Sequence, residues 1–280
     1  MNYVEMKAPA KINLGLNIIS KRDDGYHNLE TIFYPIYDLF DKIVVEKSDS
    51  FRFTSDNAHL TDDESNLIVR ATRLLENKFK KIFNINIYLE KIIPMGAGLG
   101  GGSSDAAAIL LVLNDMFKLG LSYGKLSEIA LTLGSDVPYF LKPKPALGKS
   151  RGEELEFLEI IIDKPILLVN PGIHISTKEA FQNIKPTPLV GRIELGAKIA
   201  SGDVRSFNGL LSNDFENYVF ERHPEISGIR EALVADGALF SQMTGTGSTI
   251  YGIFEDIESA ERSKKRLPEN YFTFISHHGF

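Results

Sequence analysis

Pro94-Met95-Gly96-Ala97-Gly98-Leu99-Gly100-Gly101-Gly102-Ser103-Ser104-Asp105 is the stretch that decides the fold. It follows a predicted strand at 84–91, where apolar residues alternate, and leads into a predicted helix at 103–117. Five glycines within seven residues leave the backbone N–H groups open to a ligand. The helix start adds unpaired donors and the positive end of its dipole, and Ser103 and Ser104 add hydroxyls. The stretch therefore predicts a phosphate-binding loop rather than a flexible linker or a tight turn.

Two common glycine motifs match this chain only in part. The pattern G-x-G-x-x-G is present at 96–101, but a dinucleotide-binding fold then needs a strand after the helix and an acidic residue about 20 positions on. A second helix is predicted at 122–133 instead, and Asp115 lies inside the first one. Gly148-Lys149-Ser150 resembles the end of a P-loop, but Pro143 stands where that motif needs its first glycine. These mismatches argue against a dinucleotide-binding fold and against a P-loop nucleotide-binding protein.

The composition predicts a globular chain with a sizeable core. Its 280 residues correspond to two lobes or one large domain, at about 150 residues per domain. The net charge of -6 argues against a general nucleic-acid or anionic-membrane binder. The absence of cysteine from the sequence excludes disulfides, thiolate zinc sites and cysteine nucleophiles. No basic segment precedes an apolar run at the start, and no apolar stretch is long enough to span a bilayer, so the cytoplasm is the expected compartment.

Helices and strands mix along the chain without a regular alternation, which favours two α+β lobes over a doubly wound sheet. The stretch 142–154, rich in proline and glycine, is the predicted approach to the boundary, so we expect lobes at 1–155 and 156–280. Besides those above, helices are predicted at 65–81, 177–183, 191–201, 213–221, 224–236 and 257–267, and strands at 11–19, 42–46, 165–169, 238–243, 249–254 and 271–276.

Three further segments contain candidate functional residues, and each also has an ordinary structural explanation. The glycine loop Met243–Thr249, between two predicted strands, suits either a hairpin turn or a polar ligand. Asp136 follows a predicted helix, where aspartate is often a cap or turn residue. Lys11 lies in the apolar strand segment Ala8–Leu14; it is either on a solvated edge or buried beside a carboxylate.

Together these segments resemble the GHMP kinase superfamily. The glycine–serine loop matches its central phosphate-binding motif, and Thr244–Ser248 matches its C-terminal glycine motif. The resemblance runs from about residue 3 to about 256 and is dense over the first 140. Four other segments narrow the match to the member that phosphorylates a cytidine-diphosphate-linked methylerythritol: Pro9–Leu14, Arg22–His27, Asn66–Ala71 and Gly134–Pro138.

The resemblance implies a two-lobed α+β fold, with an N-terminal lobe like ribosomal protein S5 domain 2 and a ferredoxin-like C-terminal lobe. ATP and substrate are expected in the cleft between the lobes. The implied reaction transfers the γ-phosphoryl group of ATP to the 2-hydroxyl of the methylerythritol unit, on the non-mevalonate route to isoprenoid precursors. Mg²⁺ is expected with ATP, held mainly by phosphates and water, because the sequence shows no clear ligand set for a metal.

Carried over by position, the resemblance implies that Lys11 and Asp136 form the catalytic pair. A carboxylate that accepts or orients the proton of a substrate alcohol helps that weak nucleophile, and a neighbouring lysine keeps the carboxylate ionised. The backbone of Pro94–Ser104 is expected to hold the ATP phosphates, and Asn66 to lie on the adenine side. Asp105 is interpreted as a favourable charge at a helix start rather than as a metal ligand.

The cytidine-bearing substrate needs a stacking platform and polar partners. The resemblance assigns Tyr26 to stacking and His27 to hydrogen bonding with the base, Phe181 to the opposite aromatic wall, and Thr177 and Asn13 to polar contacts. Without the resemblance, Tyr26 and His27 suit an exposed hairpin equally well. The C-terminal glycine motif departs from the Ser-Gly-Ser-Gly-Pro of many relatives but keeps small hydroxyl residues.

Two other functions were weighed against this one. Another small-alcohol kinase of the superfamily, acting on mevalonate or homoserine, would not need Tyr26, His27 and Phe181 around one pocket. A regulatory ATP-binding protein that has lost catalysis would not need both Lys11 and Asp136. The expected partners are therefore a small-molecule substrate and ATP, without nucleic acid or membrane.

Overall fold

Two long strands open the chain, β1 (Tyr3–Lys21) and β2 (His27–Lys47), and they pair with each other. They are joined by a turn, in which the Arg22 N–H donates to the Tyr26 carbonyl at 2.8 Å and Gly25 adopts a φ of 85°. Both strands are longer than predicted because their apolar residues continue past the segments that alternate. The structure, a computed structural model, describes residues 2–187, 195–199 and 203–277.

The remaining elements follow in chain order. The other strands of the described chain are β3 (Arg52–Ser55), β4 (Ile85–Glu90), β5 (Ala146–Lys149), β6 (Glu154–Phe157), β7 (Ile166–Asn170), β8 (Phe240–Met243), β9 (Ile250–Ile253) and β10 (Phe272–Ser276). The helices are α1 (Leu67–Phe79), α2 (Gly101–Met116), α3 (Tyr123–Leu133), α4 (Val137–Phe140), α5 (Thr177–Asn183), α6 (Leu195–Ile199), α7 (Phe215–Arg222), α8 (Pro224–Ala235) and α9 (Ile257–Lys264), with a 3-10 turn at Val204–Phe207.

The long periodic segments form the elements that the sequence predicts. Of the helix predicted at 191–201, residues 195–199 are described as α6, and the rest lies outside the described residues. The strands β3, β5 and β6 and the helix α4 were not predicted. Each has only four residues, and the three strands are defined by their pairing with other strands rather than by a pattern of their own.

One compact unit of the chain comprises Met1–Ala10, Leu39–Met95 and Gly100–Pro143. Within it, the end of β2 pairs antiparallel with β4, and β3 pairs parallel with the other edge of β4. In β4 the alternate residues Ile85, Ile87 and Leu89 are buried, which is the pattern that predicts the strand. Helix α2 packs against α1, α3 and α4.

The other unit comprises Lys11–Asp38, Gly96–Leu99 and Lys144–Phe280. Its antiparallel sheet has the strand order β10-β7-β9-β8, with α8 packed on β8 and β9 and α9 packed on β7 and β10. This is the βαββαβ arrangement of a ferredoxin-like lobe, as the resemblance implied. The α+β class is confirmed, and the lobe boundary at 155/156 stays a prediction.

Candidate active site

Lys11 is buried near the middle of β1, with 3% of its surface exposed. Its ammonium donates to Asn13 Oδ1 at 2.7 Å and to the carbonyl oxygen of Gly98 at 2.9 Å. Its backbone N–H donates to the carbonyl oxygen of Leu99 at 3.0 Å. A buried ammonium needs such acceptors in place of water. The structure thus shows the lysine buried rather than on a solvated edge, with an amide oxygen and a backbone carbonyl of the glycine loop as acceptors. The carboxylate beside it stays a prediction.

The side-chain amide of Asn13 forms hydrogen bonds with Lys11 and with two threonine hydroxyls. Besides accepting from Lys11, its Oδ1 lies 3.2 Å from the Thr244 hydroxyl, which donates to it. Its Nδ2 donates to Thr31 Oγ1 at 2.8 Å. With 2% of its surface exposed, the amide serves mainly internal contacts, and its predicted contact to the erythritol stays a prediction.

The second glycine loop supports the first. Gly98 has a φ of 77°, and a Cβ placed on it would lie 2.2 Å from the carbonyl oxygen of Thr244, so that only glycine fits. Asn213 Nδ2 fixes the second loop by donating to the carbonyls of Met243 and Gly245, both at 2.8 Å. The loop joins the antiparallel strands β8 and β9, which matches the hairpin interpretation. The second loop also packs directly against Gly98 of the first loop, a structural role that the sequence did not indicate.

The first turn of α2 offers backbone donors to a ligand. Its N-cap is Gly100, with a φ of 75°, and no side chain caps the helix. The N–H groups of a first turn have no partner within the helix, and they favour an anion together with the helix dipole. Ser104, whose backbone N–H makes the first helical bond to Gly100 at 2.9 Å, is buried. This part of the loop therefore suits the phosphate binding that the sequence predicts.

Asn66 and Asp136 are both placed at helix starts in the unit that contains α1 to α4. Asn66 caps α1: its Oδ1 accepts from the Ile68 N–H at 2.9 Å, and its Nδ2 donates to the Thr61 carbonyl at 3.0 Å. Asp136 is half-buried, precedes α4 and does not cap it through its side chain. Lys11 belongs to the other unit. The adenine contact of Asn66 and the pairing of Asp136 with Lys11 stay predictions.

Three aromatic rings contact one another in the second unit, one pair stacked and the other edge to face. His27 stacks on Phe181 with a centroid distance of 5.4 Å and an angle of 28°, and Phe181 meets the edge of Phe215 at 4.9 Å. Burial, and to a lesser extent the charge of Lys21, lowers the pKa of His27 below its usual value. A neutral imidazole offers one donor and one acceptor, which suits the edge of a base.

Tyr26 lies in the turn before β2 and is 49% exposed, as the hairpin alternative predicts. One face of its ring is nevertheless covered, because the guanidinium carbon of Arg151 lies 3.6 Å from the ring centroid. Arg151 follows β5, and sequence analysis did not single it out, because nothing in the sequence links residues so far apart. Tyr26 therefore presents a flat ring that is already held in place.

Thr177 is the first residue of α5, which Ser176 caps by accepting from the Glu179 N–H. The Thr177 hydroxyl lies 3.2 Å from the hydroxyl of Thr246, in the second glycine loop. The structure thus brings one predicted substrate contact next to that loop.

In the part of the chain that the structure describes, no three acidic or histidine side chains gather so that they could hold a metal ion. Across residues 2–187, 195–199 and 203–277, none of the helices combines the length and the apolar character needed to cross a membrane.

The sequence was then compared with known proteins. Residues 66–143 match the family described as GHMP kinases N terminal domain, and residues 197–272 match the family described as GHMP kinases C terminal. A 4-diphosphocytidyl-2-C-methyl-D-erythritol kinase of Chlorobium phaeobacteroides is 41% identical, over 93% of this chain and 90% of the relative. The kinase of that name from Prosthecochloris aestuarii is also 41% identical, over 97% of this chain and 96% of the relative.

The fold was compared with solved structures. A crystal structure of 4-(cytidine 5'-diphospho)-2C-methyl-D-erythritol kinase superimposes with a TM-score of 0.78 at 32% identity. The match covers 97% of this chain and 98% of the other. Sequence and structure comparisons therefore agree over nearly the whole length of the chain.

Proposed function

This chain belongs to the 4-diphosphocytidyl-2-C-methyl-D-erythritol kinases among the GHMP kinases, and on that basis we propose that it phosphorylates the 2-hydroxyl of 4-(cytidine 5'-diphospho)-2-C-methyl-D-erythritol. ATP is the donor, and the products are ADP and the 2-phosphate, on the non-mevalonate route to isoprenoid precursors. The observation that carries the proposal is the identity of 41% over nearly full length. The resemblance seen in the motifs is confirmed.

The proposed mechanism starts with the ATP phosphates on the backbone of the glycine loop. The first turn of α2 supplies N–H donors, and glycines let the phosphates approach the backbone closely. Lys11, held by Asn13 and by the Gly98 carbonyl, brings a fixed positive charge to the loop. Such a preorganised charge stabilises the negative charge that develops on the transferred group.

Asp136 is the proposed partner of the acceptor hydroxyl. The substrate oxygen forms a bond to the γ-phosphorus, the bond from that phosphorus to the β–γ bridging oxygen breaks, and ADP leaves. Asp136 accepts or orients the proton that the hydroxyl loses. ATP is proposed to enter as its Mg²⁺ complex. Because the described residues contain no cluster of acidic or histidine side chains that could hold a metal, the ion would be held mainly by phosphates and water.

The cytosine of the substrate is proposed to bind at the aromatic residues. Tyr26 offers an exposed ring face for stacking, which is worth about 1–3 kcal/mol per base. His27, neutral and stacked on Phe181, is suited to hydrogen-bond the edge of the base. Thr177 lies beside the second glycine loop and supplies a further polar contact. We place the reaction in the cytoplasm, where ATP is available.

One assay tests the proposal. Purified protein given Mg-ATP and the cytidine diphosphate substrate should release ADP, and the product should carry phosphate on the 2-hydroxyl by phosphorus NMR. Mevalonate and homoserine should give no ADP above background. Equal turnover of mevalonate or homoserine would instead assign the chain to the other small-alcohol kinases of the superfamily, and binding of ATP without turnover of any alcohol would favour the regulatory alternative.

A further inference from the structure

A buried cluster of three charged side chains lies outside the residues assigned to the reaction. It consists of Asp41, Lys91 and Asp105, whose side chains are 0%, 3% and 4% exposed. The Lys91 ammonium donates to Asp105 Oδ2 at 2.9 Å and to Asp41 Oδ2. All three belong to the same unit. Side chains of these types are almost never buried unless they are paired.

The cluster joins the two flanks of the glycine loop. Lys91 directly follows β4 and precedes the loop, whereas Asp105 follows the loop in α2. Asp41, in β2, also binds the first flank, because its Oδ1 accepts from the N–H groups of Ile92 and Ile93 at 2.6 and 2.8 Å. Lys91 therefore donates to both carboxylates, and it connects the strand before the loop with the helix after it.

Lys91 also lies close to the helix end that offers its donors to phosphate. A Cβ added to Gly101, the first residue of α2, would lie 2.8 Å from the Lys91 ammonium nitrogen and 3.0 Å from a methyl carbon of Ile93. Glycine at this position thus leaves room for the ammonium. The positive charge lies next to the first turn of α2, where an anion is favoured.

The charges of the cluster do not balance without a proton. Burial raises the pKa of Asp105 to about 7; Lys91 opposes the rise, and Asp41 adds to it. Asp105 Oδ1 and the neighbouring Ser104 Oγ have no hydrogen-bond partner among the described residues. Without Lys91, the carboxylates would place uncompensated negative charge beside the start of α2. That charge would oppose a phosphate at the same helix end.

We propose that Lys91 is a positioning residue for the ATP phosphates, which joins the two flanks of the glycine loop and offsets the negative charge of Asp41 and Asp105. It acts through the loop and through the electrostatic field at the start of α2, not by contact with the reacting groups. The inference rests on the proposed function in one respect, namely that the glycine loop binds ATP.

The test is the variant Lys91→Met, which keeps the length of the side chain and removes its charge. We expect the KM for ATP and the Kd of a non-hydrolysable ATP analogue to rise about tenfold or more, because a buried charge loses its partner. The KM for the cytidine substrate should change less than about threefold. The matched control is Lys125→Met, whose lysine is 60% exposed and pairs with Glu128 in α3; it should leave all three constants unchanged.

A second variant separates charge from packing. Adding Asp105→Asn to Lys91→Met removes one carboxylate, so the Kd of the ATP analogue should fall back towards the wild-type value. Asp105→Asn alone keeps the Lys91–Asp41 pair, and its amide oxygen can still accept from Lys91, so the flanks stay joined. This variant should bind the analogue as tightly as the wild type or more tightly. If Lys91→Met does not fold, this single variant decides: weaker analogue binding by Asp105→Asn overturns the proposal.

The proposal is also overturned if folded Lys91→Met binds the analogue normally, or if it weakens both substrates equally and Asp105→Asn gives no rescue. Analogue binding is measured without an acceptor alcohol. A wrong assignment of the acceptor substrate would therefore leave this test intact, whereas a wild-type protein that does not bind the analogue would sink the proposed function itself.

Discussion

The backbone of Gly98 passes so close to Thr244 that a side chain at position 98 would overlap the Thr244 carbonyl oxygen, 2.2 Å from the added Cβ. The hydroxyl of Thr244 lies within hydrogen-bond distance of the Gly98 carbonyl oxygen, and the same oxygen accepts from the Lys11 ammonium. The position of the lysine in the proposed site thus depends on contact between two loops that lie about 146 residues apart in sequence.

Gly98→Ala should therefore lose most activity. The added methyl group would meet backbone, which cannot move aside as a side chain can, and the φ of 77° strains any residue with a Cβ. We expect kcat to fall about tenfold or more and the free energy of unfolding to fall by more than about 1 kcal/mol. Steady-state kinetics and urea denaturation measure the two effects.

The control is Gly124→Ala in α3, where an added Cβ meets nothing within 4 Å. It should raise the free energy of unfolding by about 0.5–1 kcal/mol, because alanine is the better helix former. Normal activity and stability of Gly98→Ala would contradict the close contact between the loops.

Asp136→Asn tests the proposed role of the carboxylate. Because asparagine cannot accept the proton of the alcohol, kcat should fall about 100-fold to 10,000-fold, while the Kd of an ATP analogue stays near its wild-type value. Rapid-quench measurement of a single turnover reports the chemical step directly. Asp115→Asn, at an exposed position of α2, should turn over normally. If Asp136→Asn did so too, Asp136 would be only a turn residue.

Tyr26→Ala tests the stacking platform. Loss of one stacked ring should raise the KM for the cytidine substrate about 5-fold to 150-fold, the factor that corresponds to about 1–3 kcal/mol. The KM for ATP should stay constant, and Tyr26→Phe should behave almost like the wild type, since it keeps the ring. Equal losses in Tyr26→Phe and Tyr26→Ala would show that the hydroxyl matters and the ring face does not.

His27 makes the fold sensitive to acid. Its pKa is lowered by burial and by Lys21, so the folded protein binds this proton less readily than the unfolded chain does. The contribution of His27 to stability is therefore fully present above the ordinary pKa of about 6.5 and is lost as the pH falls towards the lowered value. Urea denaturation at several values between pH 5 and 8 should show a decline below about pH 6.5. The decline should be smaller in His27→Gln, and an equal decline in both proteins would assign it to other groups.

Sequence reasoning predicted what is local and periodic. The apolar spacing of α1 and α3 placed both helices to within a few residues, and the structure shows that Asn66 and Ser122 cap them. The glycine loop and its helix were likewise evident from the local order of residues. The four-residue strands β5 and β6 were missed, because their pairing, rather than their own pattern, makes them strands: β5 pairs with the distant β2, and β6 pairs with β5.

In the candidate site, too, the sequence identified individual residues but not the contacts that folding creates between them. Lys11 was identified from its motif, but its bonds to Asn13 and Gly98 depend on folding. The interpretation of Asp105 as a charge at the helix start was wrong: the residue lies beyond the first turn of α2, and its carboxyl is buried against Lys91. Asp41 and Lys91 are separated by 50 positions, and no local pattern reveals a pair at that distance.

The burial of Lys11 and Lys91 has a consequence for chemical labelling. Reagents that acylate amines need access to the nitrogen, and these two side chains are about 3% exposed, whereas lysines such as Lys125 project into water. Coupling to a dye or to a solid support will therefore start at the surface. An immobilised preparation should keep its turnover until the reagent begins to unfold the chain.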